Sequence, residues 1–247
     1  MKLLLDAGNS RIKWGILADG HWLAEGAMAT ADAEQLASVA ARFPGIDAIV
    51  GANVAGPGLE RLIDQALAER GAPRWVRSTR SCGGVVNLYD NPAQLGVDRW
   101  AALIAARSLH AGACLVVTAG TATTADILDE EGVFQGGLIL PGEEMMRSAL
   151  AERTAQLPFA TGCFVATPRN TADAIASGCL NAQIGAVERM FELVADRSSS
   201  ICLLNGGSAE SLEALLRIPT QRVDNLVLKG LAVIAEDTGG EHASRSV

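Results

Sequence analysis

Several residue types that usually carry enzyme chemistry are scarce in this chain of 247 residues. Only three lysines occur, Lys2, Lys13 and Lys229, and none sits in a Gly-Lys-Ser/Thr arrangement, so a P-loop route to a nucleotide phosphate is closed. The three histidines, His21, His110 and His242, are scattered and offer no metal-binding cluster. The five cysteines (Cys82, Cys114, Cys163, Cys179 and Cys202) are odd in number and contain no C-x-x-C pair. Zinc and dithiol chemistry are thereby disfavoured, and the cysteines read as small core residues of a cytoplasmic protein. No apolar run reaches the ~18 residues that a membrane span needs; Lys229 interrupts the longest late stretch, Leu226 to Ala235. The N-terminus meets Asp6 and Gly8 too early for a signal peptide. With 20 Lys+Arg against 28 Asp+Glu, the net charge of −8 argues against nucleic acid as a partner.

What is present is core. Hydrophobic residues make up 49% of the chain and charged residues 19%, enough apolar surface for one large domain or two smaller ones. Periodicity favours two. Lys2 to Leu5 is an apolar run ending at Asp6, and Arg11 to Leu17 alternates between faces. An Asp19-Gly20 hairpin signal then leads into a third strand, His21 to Ala27. Thr30 is placed to cap a helix over Ala31 to Arg42, followed by a strand at Ile46 to Val50 and a helix at Leu59 to Arg70. The order recurs: strands at Cys114 to Val117, Thr123 to Leu128 and Val133 to Leu140, helices at Glu143 to Arg153 and Thr171 to Ala195, a strand at Ile201 to Leu204, and a helix at Ala209 to Leu216. This predicts an α/β protein of two βββαβα-type halves around a central cleft, residues 1–112 and 113–247.

Each half has a small-residue turn after its first strand. Asp6-Ala7-Gly8-Asn9-Ser10 and Thr118-Ala119-Gly120-Thr121-Ala122 lie 112 positions apart at equivalent places. Either turn alone is an ordinary hairpin turn. As an equivalent pair they suggest backbone N–H groups cradling phosphate oxygens, with an acid at the strand end to hold hydrated Mg²⁺.

On these residues the chain resembles the type III pantothenate kinases, which share the actin-like ATPase/sugar kinase (ribonuclease H-like) fold. Asp6 to Ser10 resembles the first phosphate motif of that family. Asn87-Leu88-Tyr89-Asp90-Asn91-Pro92-Ala93-Gln94-Leu95-Gly96-Val97-Asp98-Arg99 is similar to its most specific segment, and Gly120-Thr121-Ala122-Thr123-Thr124-Ala125-Asp126 to its second phosphate motif. Gly136 to Gly142, Thr154 to Pro158, Asn170 to Gly178 and Asn205-Gly206-Gly207 follow at family-like intervals.

The resemblance implies ATP-dependent phosphorylation of pantothenate, the first step toward coenzyme A. It implies Asp98 as general base, opening a helix expected over Arg99 to Leu109, with Tyr89, Gly96, Val97, Arg99 and Thr171 at the pantothenate. It implies nucleotide contacts at Asp6, Ala7, Gly8, Asn9, Ser10, Arg11, Gly120, Thr121, Ala122, Thr123, Gly206 and Gly207. Mg²⁺ would be held near Asp6, Thr118 and Asp126, and a monovalent cation such as K⁺ or NH₄⁺ would assist. Many relatives carry an acid where this chain has Thr118, so one negative charge is missing from that site. The long helix after Asn170, with its apolar stripe Ile175, Cys179, Ala182, Ala186, Met190 and Leu193, would form a homodimer interface, with Thr171 reaching the partner's pocket. Two alternatives stay open: a kinase of the same fold for another small hydroxylated acceptor, and a non-catalytic relative of the Bvg accessory factor group.

Overall fold

The computed structural model describes residues 1–155, 157, 159, 161–195 and 199–237. Gln156 and Pro158 of one family-like stretch, and the polar tail from Thr238 onward, lie outside the described residues. Two compact units emerge: Met1–Leu109 together with the described residues from Asn225 to Asp237, and His110–Asp224. The expected second half therefore ends at Asp224 rather than at the C-terminus.

In the first unit β1 (Lys2–Ala7), β2 (Arg11–Ala18) and β3 (His21–Ala29) form an antiparallel meander. The β2–β3 turn needs left-handed backbone, which Asp19 (φ 49°) and Gly20 (φ 78°) supply. β1 also pairs in parallel with β4 (Ala48–Asn53), and β4 with the short β5 (Arg74–Trp75), so the sheet order is β3-β2-β1-β4-β5. Leu3, Leu5, Ala7, Ile12 and Ile16 pack on one face beneath α1 (Leu36–Ala41) and α2 (Pro57–Ala66).

The helix expected from Ala31 with Thr30 as its cap is corrected. Thr30–Gln35 is a 3₁₀ turn entered from Ala29, and α-helix begins only at Leu36. Thr30 lies inside that turn, whose cap position is Ala29, and its hydroxyl is donated to the carbonyls of Gly8 (3.2 Å) and Asn9 (3.3 Å). The second helix is likewise shorter, ending at Ala66, with a 3₁₀ turn at Ala68–Arg70.

After a small hairpin, β6 (Ser81–Cys82) and β7 (Val85–Asn87), the unit continues into α3 (Val97–Leu109). Its last element is chain-distant. In the second unit β8 (Cys114–Ala119), β9 (Ala122–Leu128) and β10 (Val133–Pro141) again meander, and β8 pairs in parallel with β11 (Ile201–Asn205), which pairs with β12 (Thr220–Arg222). The order β10-β9-β8-β11-β12 repeats that of the first unit, strand for strand. Leu115, Val117, Ala119 and Ala125 face the buried side of α5 (Thr171–Phe191), while α4 (Glu143–Arg153) and α6 (Ala209–Glu213) complete the unit. Asn170 caps α5 as expected, its Oδ1 accepting from Asp173 N at 2.9 Å. The helix stops at Phe191 rather than Ala195, and α6 stops at Glu213 rather than Leu216.

The chain then returns to the first unit as α7 (Leu226–Glu236). A Cβ on Gly230 would lie 1.8 Å from the Ala101 carbonyl oxygen, so α7 and α3 meet backbone to backbone. That approach, with Leu228 reaching Gly15, is why the C-terminal helix belongs with residues 1–109.

Candidate active site

Asp6 is the penultimate residue of β1 and points away from the face carrying Leu3, Leu5 and Ala7. Burial pushes its carboxyl up to about 6; Lys13, directly across the ladder, pulls it down, and Asp98 adds a further push upward. Asp6, Lys13 and Asp98 thus share one electrostatic neighbourhood. The following turn closes with Gly8 N donating to Arg11 O at 3.0 Å and leaves Asn9, Ser10 and Arg11 exposed. Thr30 braces it from behind: its N–H donates to Ser10 O (3.2 Å) and its hydroxyl to the two preceding carbonyls. In a trans peptide the N–H opposes the carbonyl, so these bonds turn the N–H groups of Asn9, Ser10 and Arg11 toward the opposite side. That arrangement suits an anion.

The segment before α3 is organised by Asn87, a fully buried side chain the motif contained but whose role its spacing did not show. Its Nδ2 donates to Thr79 O (3.3 Å) and Pro92 O (3.2 Å), and its Oδ1 accepts from Tyr89 N (3.0 Å). Arg80 adds a bond to the Asn87 carbonyl at 2.7 Å. Tyr89 is thereby set on a rigid loop. Arg99, only 5% exposed, donates to the Tyr89 hydroxyl at 3.0 Å, with its guanidinium 5.8 Å from the ring centroid. Asp98 lies in the first turn of α3 and is half-buried; its Oδ1 accepts from Arg99 N at 2.8 Å. The helix starts at Val97, two residues before the expected Arg99. Gly96 makes room for that carboxylate: a Cβ there would lie 2.7 Å from Asp98 Oδ1.

In the second unit the turn Gly120–Ala122 is clamped by backbone. Gly142 N donates to Thr121 O (2.9 Å), Ser208 N to Ala119 O (3.1 Å), and Gly120 N to Ala122 O (3.1 Å). A Cβ on Gly142 would lie 2.1 Å from Gly120 O, and one on Gly206 (φ 109°) 2.1 Å from Ala119 O. Gly207 is exposed beside it and Asn205 is buried at the end of β11. Thr118, Thr124 and Asp126 share the sheet face opposite α5, and Asp126 is buried there. Thr123 departs from expectation. Its side chain points to α5 and its hydroxyl is donated to Gln183 Oε1 at 2.6 Å, so that hydroxyl is not available to a phosphate.

Thr171 opens α5 and is exposed. With Met146, Leu150, Ile175 and Ala182 it lines a largely apolar cavity of about 1110 Å³ along α4 and α5. Two of the six residues of the expected helix stripe, Ala182 and Leu193, are exposed and two, Ala186 and Met190, are half-buried, while the buried side runs through Ile175, Cys179, Gln183 and Val187.

Among the described residues no group of three or more His, Cys, Asp or Glu could cage a metal ion. A hydrated Mg²⁺ needs less: one or two carboxylates plus substrate phosphates. Asp6, destabilised in its charged form by burial, fits that role. No helix among the described residues is long and apolar enough to cross a membrane.

Two copies of one sheet order, each with a glycine turn braced at the tip of its first strand, define the duplicated actin-like fold shared by sugar kinases and ATPases. Solved structures agree on the fold. A putative 2-dehydro-3-deoxygalactonokinase from Sinorhizobium meliloti superposes with TM-score 0.60 at 17% identity over 96% of this chain and 98% of its own. A putative Baf family transcriptional activator from Campylobacter jejuni gives 0.59 at 21% identity over 95% and 97%. The model of the type III pantothenate kinase family matches residues 2–193, and the chain belongs to that family. It is 58% identical to the type III pantothenate kinase of Aromatoleum aromaticum over 96% of this chain and 98% of that one. The enzyme of that name from Azoarcus sp. strain BH72 is 53% identical over 95% and 90%.

Proposed function

We propose that this chain transfers the γ-phosphoryl group of ATP to pantothenate, opening coenzyme A synthesis in the cytoplasm, with Asp98 as the general base. The observation that carries the assignment is the coincidence, within one unit, of the Asp6–Asp98 carboxylate pair and the Tyr89–Arg99 pair. Phosphoryl transfer needs an in-line hydroxyl, a group to receive its proton, and cationic or N–H donors for the γ-phosphoryl oxygens. Asp98 is anchored by its neighbour's backbone N–H and takes the acceptor proton as the oxygen attacks phosphorus. Arg99 offers a planar fork for the pantothenate carboxylate, and its bond to Tyr89 makes the two side chains move as one recognition element.

The turn at Gly8 to Arg11 supplies phosphate contacts in the first unit, and Gly120 to Ala122 with Gly206-Gly207 supplies nucleotide contacts in the second. Mg²⁺ would be held by Asp6 through coordinated water and would neutralise charge on the phosphates. A monovalent cation such as K⁺ or NH₄⁺ would assist, as the family resemblance implies, with no residue of this chain singled out to hold it. A second copy of the chain would cover the apolar cavity along α4 and α5, bringing Thr171 to the partner's acceptor pocket as a homodimer.

ADP release measured with ATP and pantothenate tests the assignment directly. Turnover is expected with pantothenate and should fall steeply with its alcohol analogue, which has no carboxylate for Arg99. Phosphorylation of other hydroxy compounds without turnover of pantothenate would overturn it.

A further inference from the structure

We propose that Gln183 is a positioning residue for nucleotide binding, acting through Thr123 on the turn Gly120–Ala122. The inference rests on the reading of that turn as a nucleotide contact. Gln183 lies on the buried side of α5 and is 1% exposed; Thr123 is fully buried on β9. Their 2.6 Å bond is a polar link in surroundings otherwise built from Ala119, Ala125, Leu180, Ile184 and Val187. The amide head spends its oxygen on this link, and among the described residues no hydrogen-bond partner meets the buried Gln183 Nε2. Rotating the amide would merely exchange which atom is unpaired. A core that needed only to be filled would be more stable with leucine or methionine at 183, and valine at 123. A half-satisfied buried amide is therefore kept for something other than stability.

The place of the link in the hairpin indicates what that is. Thr123 pairs with Ala119 as the rung next to the turn, and on its other side with Leu140, two residues before Gly142. Gly142 N holds Thr121 O, and Ser208 N holds Ala119 O. The turn is thus gripped on its flanks by backbone, and Gln183 adds a hold from the α5 face. Thr123 in this arrangement is a strut rather than a phosphate ligand, which accounts for a buried hydroxyl inside the second phosphate motif.

The test compares Gln183→Leu, Thr123→Val, the double variant and Thr123→Ser, reading thermal midpoint, ATP-analogue affinity by calorimetry, and the KM values for ATP and pantothenate. Gln183→Leu and Thr123→Val should each keep or raise the thermal midpoint while weakening nucleotide affinity about five-fold, roughly what one lost hydrogen bond gives. The KM for pantothenate should stay. The double variant should be no weaker than either single one, because both remove the same link. Thr123→Ser retains the hydroxyl and should bind nucleotide like the wild type. Lower thermal midpoints with unchanged nucleotide affinity would make the pair merely structural and overturn the proposal. So would fully additive losses in the double variant. A wild-type protein that bound no ATP analogue at all would instead overturn the kinase reading itself.

Discussion

The two hairpin turns after β1 and β8 occupy the same place in a repeated plan and are built by different means. Positions 6, 30 and 54 in the first unit find counterparts near 118, 142 and 208 in the second. Thr30 N–H reaches back to the first turn as Gly142 N–H reaches back to the second. Val54 N donates to Ala7 O as Ser208 N does to Ala119 O. The first turn is charged, with Asp6 facing Lys13 and sensing Asp98, and it is braced by a threonine side chain. The second is uncharged at the matching rung, with Thr118 facing Thr124, and is braced by glycine backbone at van der Waals limits. The two turns share one scaffold and differ in their means, side-chain charge in one and glycine packing in the other.

The largest effect should come from removing charge in the first unit. Asp98→Asn is expected to lower kcat by ~10²–10⁴ while circular dichroism and thermal midpoint stay near wild type. Near-normal turnover would break that contrast.

Asp6→Asn should lower kcat/KM for ATP by ~10²-fold and yet stabilise the empty protein. The Asp6 carboxyl, raised from 3.8 to about 6, binds its proton more tightly folded than unfolded. Its favourable contribution is complete below pH 3.8 and is lost as pH rises to about 6. The swing is about 3 kcal/mol. Denaturant unfolding without Mg²⁺ or nucleotide should show wild type falling relative to Asp6→Asn between pH 4 and 7. Parallel curves would remove Asp6 from the list of strained charges.

Shape should dominate in the second unit. Gly206→Ala places a Cβ against the Ala119 carbonyl at a left-handed φ, and should cost about 2–4 kcal/mol of stability together with nucleotide affinity. Thr30→Ala, the corresponding insult to the first turn, loses only side-chain bonds and should cost about 1 kcal/mol. Equal losses in the two variants would erase the contrast.

The smallest change restores the missing charge. Thr118→Asp should lower the Mg²⁺ concentration for half-maximal turnover by a few-fold, about the gain from one added solvated carboxylate near a cation. An unchanged Mg²⁺ curve would place position 118 away from the metal.

Local patterning carried much of this into view. The alternation of β2, the Asp19-Gly20 turn and the Asn170 cap depend on residues close in sequence, and each stands where local chemistry puts it. The two units and their common strand order were legible because the same pattern appears twice. Thr30 marks the limit of that locality: a threonine before a helical pattern is a good local cap, and nothing local shows that its hydroxyl reaches the Gly8 carbonyl 22 residues away. The 112-residue offset that pairs Thr30 with Gly142 was the one available signal.

By itself, the sequence determined the absence of a P-loop, the doubled βββαβα plan, the two glycine turns and the acid, Asp6, beside the first of them. Tertiary structure alone decided that α7 closes the first unit, that Arg99 is buried against Tyr89, that Asp6 is held where its charge is disfavoured, and that Thr123 faces Gln183. The reason is range. Turn and strand preferences act over a few residues, whereas burial, desolvation and side-chain pairing depend on which distant segments the folded chain brings into contact.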